Sequence, residues 1–167
     1  SCSDKSPQGH YRKVIVLHDA PDADFEHIAQ NLPYECRGWM ELAQLPIPDR
    51  IELVKEFWLC KMRQHPRLIK FLMSFFDTID DIGIYITQLG PDDPLDCHMV
   101  YSLPNDSGFY RGKLPASDQD VFLIQERFSE WVLPSDYIAF LQVHDGFAKS
   151  TDCTGLTSSK KLISAYE

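Results

Sequence analysis

Six histidines, His10, His18, His27, His65, His98 and His144, are the residues most able to do chemistry in this chain. Imidazole serves as metal ligand and general base, but both roles need partners at set spacings. None of the six stands in an H-x-D, H-x-E or H-E-x-x-H pattern, so no local run supplies an iron facial triad or a zincin site. His18, with Asp19 and Asp22, comes nearest to a ligand cluster, yet it sits at a strand exit where Asp and His commonly form turns and caps. A metal site would have to be assembled from distant positions, with His18, His98 and His144 as candidate ligands.

His144-Asp145 has the paired letters of HD phosphohydrolases without the further spaced histidines and aspartates such centres require. Nucleophile signatures are missing too: there is no G-x-S-x-G elbow, no G-x-x-x-x-G-K-[ST] and no G-x-G-x-x-G. Cys97 stands beside His98, but neighbours on a strand point to opposite faces, which argues against a thiolate–imidazole pair. Asp80-Asp81 and Asp92-Asp93 could serve acid–base work or hold a cation; the plainer reading is solvated carboxylates at a helix exit and in a loop. The five cysteines, Cys2, Cys36, Cys60, Cys97 and Cys153, are odd in number and never form C-x-x-C. Neither a disulfide framework nor a thiolate zinc knuckle is indicated, and a reducing compartment fits.

The elements that must position these groups follow from periodicity. Residues 13–17 (KVIVL) read as a short buried strand. Asp22 is placed to cap a helix that Pro33 stops, and a short helical piece spans 39–45. From 48 to 64, Ile51, Val54, Trp58 and Met62 form one stripe behind an early proline and acids, the pattern of an amphipathic helix. Pro66 opens another helix to about 79 whose apolar residues cover so wide an arc that it is expected to be central and mostly buried. Residues 82–111 then read as a three-strand antiparallel meander. Ser117 with Asp120 resembles a capping box, opening a helix to about 130 with Val121, Ile124, Phe128 and Trp131 on its apolar stripe. A last helix from 133 carries Tyr137, Phe140, Leu141 and His144 on one face. Gly146 is its left-handed stop, and 148–154 is polar loop. Helices before a meander before helices predict one α+β domain, with 1–12 expected to be flexible.

The run 133–147 (LPSDYIAFLQVHDGF), behind the helix from Ser117, resembles the signature of the SMI1/KNR4 family, also called the SUKH superfamily: helix, then LP-x-D/E-Y-x-x-F-L-x-x-x-(N/D)-G. The resemblance covers about 117–157. Thr154-Gly155-Leu156 stands where the family's next strand lies, and the family continues through more strands than this chain has after that point. It implies a non-catalytic, cofactor-free protein-binding module of the kind used in toxin immunity and in eukaryotic regulatory proteins.

Sixteen Lys and Arg against twenty-five Asp and Glu leave a formal charge of −9, a field that repels phosphate backbones and anionic lipid. Nucleic acid and membrane surfaces are therefore unexpected partners, and a basic protein is expected instead. The longest apolar stretch, 68–76, falls well short of the ~20 residues of a membrane span, and with no apolar leader in the first ten residues the expectation is cytoplasmic. Asp145, Phe147 and Lys149, around the loop of the 133–147 run, are the expected contact residues.

Overall fold

Every second residue from Ile82 to Ile86 is isoleucine, and every second one from Cys97 to Tyr101 is also apolar, so two paired strands present one continuous greasy face. The computed structural model, which describes residues 13–17, 25–105, 108–151 and 154–166, pairs them in that register: Ile82 with Tyr101, Ile84 with Met99, Ile86 with Cys97. These are the central strands, β2 (Asp81–Gln88) and β3 (Asp96–Ser102), of an antiparallel sheet in sequence order. β1 (Lys13–Val16) flanks β2, while β4 (Phe109–Gly112), β5 (Phe147–Lys149) and β6 (Gly155–Leu156) continue beyond β3. The fold is α+β, and the expected three-strand meander is β2 to β4 of the six strands found among the described residues.

Among the described residues, four α-helices come between β1 and β2: α1 (Phe25–Asn31), α2 (Arg37–Ala43), α3 (Ile47–Met62) and α4 (Pro66–Thr78). α5 (Asp118–Arg127) and α6 (Ser135–Leu141) separate β4 from β5, and α7 (Ser159–Ser164) follows β6. α3 buries Val54, Trp58 and Met62 as its stripe predicts. The main core joins that stripe to the β2–β3 face, Leu72 and Phe76 of α4, and Phe140 of α6. A second, smaller core gathers Val121 and Ile124 of α5, Leu141 of α6, and Leu162 and Ile163 of α7. Among the described residues, α6 is the element that faces both cores.

Several expectations need correction. 13–17 was expected to be a buried strand, but β1 is an edge of the sheet with Ile15 half-buried; a β-branched run suits a strand covered on one side as well as one covered on both. α4 is not mostly buried: Phe71 is 65% exposed, because only the Leu72–Phe76 side meets the core. α5 stops at Arg127, short of 130, where Phe128 leaves helical geometry at φ −106°, ψ 32°. Tight turns follow, with the Ser129 amide on the Glu126 carbonyl and that of Trp131 on Phe128, so the stripe unwinds and Trp131 leaves the core. α6 likewise ends before His144. Gly146 is left-handed as expected, at φ 104°, but it admits the chain to β5 instead of closing the helix. The stretch read as polar loop contains Ala148 and Lys149 of β5, strands of three and two residues being too short to show a period. The capping box is present: Asp120 N–H donates to Ser117 Oγ at 3.1 Å and Ser117 N–H to Asp120 Oδ2 at 3.1 Å.

Arg50 locks α2, α3 and β2 together from a buried position. Its Nη1 donates to the carbonyls of Leu45 and Ala43, at 3.1 and 3.4 Å, closing the C-terminus of α2. Its Nη2 donates to Asp81 Oδ1 at 2.6 Å at the start of β2. Removing the acid leaves a buried guanidinium without a counter-charge. Asp81→Ala is therefore expected to lower the urea-unfolding free energy by about 3 kcal/mol, whereas Ser117→Ala at the exposed capping box costs about 1 kcal/mol.

Candidate functional site

Three polar side chains from distant parts of the chain meet in the main core: Trp58 from α3, Tyr101 from β3 and His144 from the turn between α6 and β5. All three are nearly inaccessible, His144 at 1% exposure. A carbonyl can only accept, so His144 Nδ1, 2.6 Å from the Lys113 oxygen, carries the proton. Burial pushes the His144 pKa down from 6.5 to about 4, leaving the ring neutral and Nε2 a bare acceptor. Tyr101 Oη lies 2.7 Å from that nitrogen and 3.1 Å from Met99 Sδ, with one proton to give. The imidazole takes it, being the stronger acceptor and otherwise an unsatisfied buried group. Trp58 Nε1–H donates to Tyr101 Oη at 2.9 Å. The chain Trp58 to Tyr101 to His144 thus has one arrangement of protons.

Gly112 makes room for it. A Cβ at 112 would stand 2.5 Å from the His144 ring, so only glycine lets β4 pass beneath the imidazole. The phenol of Tyr101 is pushed above its ordinary 10 by burial, while His144 titrates near 4. Burial disfavours both the phenolate and the imidazolium, so the proton stays on Tyr101. The arrangement is a fixed structural network and not a poised acid–base pair.

The structure scatters the residues singled out in the sequence. His18, Asp19 and Asp22 lie outside the described residues. His98 and Tyr101 are an odd number apart on β3, so His98 faces the opposite side of the sheet from His144. His98 Nε2 is 3.1 Å from Asp96 Oδ2, an electrostatic contact without hydrogen-bond alignment, and among the described residues neither ring nitrogen has a hydrogen-bond partner. Burial disfavours the Asp96 carboxylate, but His98 and Lys113 outweigh it and hold the carboxyl below its usual range. Among the described residues no three His, Cys, Asp or Glu side chains are grouped to hold a metal ion. Cys97 turns into the main core, away from His98. Its thiol pKa is pushed up by the Cys36 thiol and by burial, which makes it inert. Asp81 is taken by Arg50, and Asp80, Asp92 and Asp93 are exposed.

Of the expected contact residues, Asp145 accepts Ser159 N–H at 2.6 Å on one oxygen and Ser159 Oγ–H at 2.8 Å on the other, fastening α7 to the end of the 133–147 run. Phe147 stacks on Tyr110 at 5.4 Å and on His144 at 5.8 Å, inside the aromatic cluster around Trp58. Lys149 Nζ sits over the Tyr110 ring at 6.0 Å.

Sequence reading missed the surface where α5 and α7 meet. A groove of about 710 Å3 is lined there by Leu123, Glu126, Phe128, Glu130, Trp131 and Tyr166 among others. Arg127 in its wall donates to the Tyr166 carbonyl at 2.7 Å, and Phe128 meets the Tyr166 ring edge-on at 5.2 Å. Trp131 is 73% exposed and its neighbour Val132 98% exposed. Only the exposure of Trp131 reveals this site; its spacing in the sequence mimics a core position.

No family model, curated protein or solved structure matches this chain. No helix among the described residues is long and apolar enough to cross a membrane.

Because the buried His144 stays neutral down to about pH 4 while an unfolded histidine protonates near 6.5, the unfolded state binds the extra proton between these values. Stability is therefore full above pH 6.5 and falls by about 3 kcal/mol as pH drops to 4. Asp96 and Asp120, whose carboxyls titrate below their ordinary 3.8, add losses only at lower pH. Urea titrations across pH 4–7 check this, and His144→Asn is expected to flatten that segment of the curve.

Proposed function

We propose that this chain is a non-catalytic, cytoplasmic protein-interaction module of SMI1/KNR4-like type, and that its α5–α7 groove receives a basic partner. The observation that carries the reading is the exposed pair Trp131–Val132 beside a groove edged by Glu126 and Glu130. Tryptophan is the side chain that most often anchors a protein interface, and a monomer gains nothing by leaving one in water. The surrounding acids and the −9 formal charge favour a partner rich in Lys and Arg through steering and rim pairing. The resemblance over 117–157 supports the same role, since one side of the groove, from Leu123 to Trp131, belongs to its first helix and the turn that follows, while Ile163 and Tyr166 on the other side lie beyond it. Asp145 and Phe147 then serve the module by holding α7 and the sheet in place behind the groove. The rival reading, an enzyme or metal protein using His18, His98 and His144, finds no support in the placement of His98 and His144 on opposite faces.

Affinity purification from the native cell, followed by binding measurements with the identified partner, tests the proposal. A basic partner is expected, binding several-fold more weakly as salt rises from about 50 to 300 mM. Trp131→Ala is expected to weaken binding at least about tenfold while the circular dichroism spectrum stays unchanged. An acidic partner, salt-indifferent binding, or full affinity in Trp131→Ala overturns it.

A further inference from the structure

A second opening lies between α2 and α3, away from the α5–α7 groove. It is a cleft of about 240 Å3 walled by Trp39 and Leu42 of α2 and by Leu53, Val54, Phe57 and Trp58 of α3. The buried Tyr101 and His144 seal its floor. No Asp, Glu, Lys or Arg lines it, and His144 is neutral, so a charged guest would lose its hydration without gaining a counter-ion. Lys61 Nζ rests over the Phe57 ring at 5.8 Å, outside the lining.

The walls are held in position before anything binds. Trp39 and Trp58 both meet the His144 ring edge-on, at 5.6 and 5.5 Å, and the Trp58 indole is further fixed by its bond to Tyr101. Rings already immobilised lose little further freedom when a guest arrives. Gly38 stands at the same cleft, inside α2. A Cβ there would meet nothing within 4 Å, and the backbone at 38 is not left-handed, so neither crowding nor conformation requires glycine. Glycine weakens a helix relative to alanine. Gly38 is exposed, and a side chain there would have free space beside the cleft. An apolar cavity of about 150 Å3 accepts benzene, so one of 240 Å3 has room for a somewhat larger ring system.

We propose that the α2–α3 cleft is a binding site for a small, uncharged aromatic molecule of one or two fused rings. The whole chain titrated with 5-fluoroindole, followed by fluorine NMR and by competition with unlabelled indole, tests it. Saturable, indole-competed binding is expected with a Kd of roughly 10 μM to 1 mM. Gly38→Leu, which fills open space and favours the helix, is expected to weaken binding at least tenfold without lowering the thermal midpoint. Phe57→Ala, at a partly exposed wall, is expected to do the same to binding. Indole-3-acetate, a charged analogue, is expected to compete at least tenfold more weakly. The proposal is overturned by the absence of saturable binding up to about 1 mM, by undiminished binding in both variants, by equal competition from indole-3-acetate, or by a signal that follows self-association of the chain in place of probe concentration.

Discussion

The hydrogen-bond chain through Trp58, Tyr101 and His144 is the constraint on which the main core depends. A backbone carbonyl at Lys113 dictates which imidazole nitrogen is protonated, and that choice dictates the direction of every other bond in the chain. Each group is buried, so each lost bond would leave an unpaired polar atom where water cannot reach. The consequence is geometric. α3, β3 and the α6–β5 turn cannot shift relative to one another without breaking a bond, whereas purely apolar contacts would tolerate sliding. Phe147, Phe140, Trp39 and Phe75 pack around the fixed rings, and Gly112 is the space that arrangement requires.

Arg50 does a related task by different means. It ties α2 and β2 to the start of α3 with a charged fork, and the neighbouring carbonyls share the charge with Asp81. Its Nε has no hydrogen-bond partner among the described residues, and the ion pair with Asp81 is what compensates for burying the guanidinium. Arg50 fixes the end of α2 against α3, the Trp58–Tyr101–His144 chain fixes α3 against the sheet, and the apolar cleft lies between the two helices.

The C-terminal portion is organised differently. α5 and α7 share a small core of their own and reach the sheet chiefly through α6, which is apolar on two sides. Asp145 fastens α7 by both carboxylate oxygens, and the Tyr137 hydroxyl donates to the Thr157 carbonyl at 3.0 Å, so this unit is held by polar bonds at its seam. A small core leaves more apolar surface uncovered, and the exposed Trp131 lies at its rim. The run 133–147 accordingly joins the two cores, with His144 buried, Phe147 half-buried against Tyr110 and His144, and Asp145 bonded to Ser159.

The sequence alone determined whatever local physics controls: the isoleucine alternation of β2, the Val54–Trp58–Met62 stripe of α3, the proline starts of α3 and α4, the Ser117–Asp120 capping box and the left-handed Gly146. These depend on neighbours within a few residues, so their signals survive without the fold. Tertiary structure alone decided the rest. The three-residue β5 exists because β4 offers it an edge, and Trp131 is exposed because two turns rotate it away from a stripe it would otherwise join. His144 could be read as a ligand, a base or a core residue until Lys113 and Tyr101, 31 and 43 positions away, occupied its two nitrogens. Which polar groups converge depends on long-range packing, and a side chain's chemistry follows from its solvation and partners, neither of which spacing along the chain encodes.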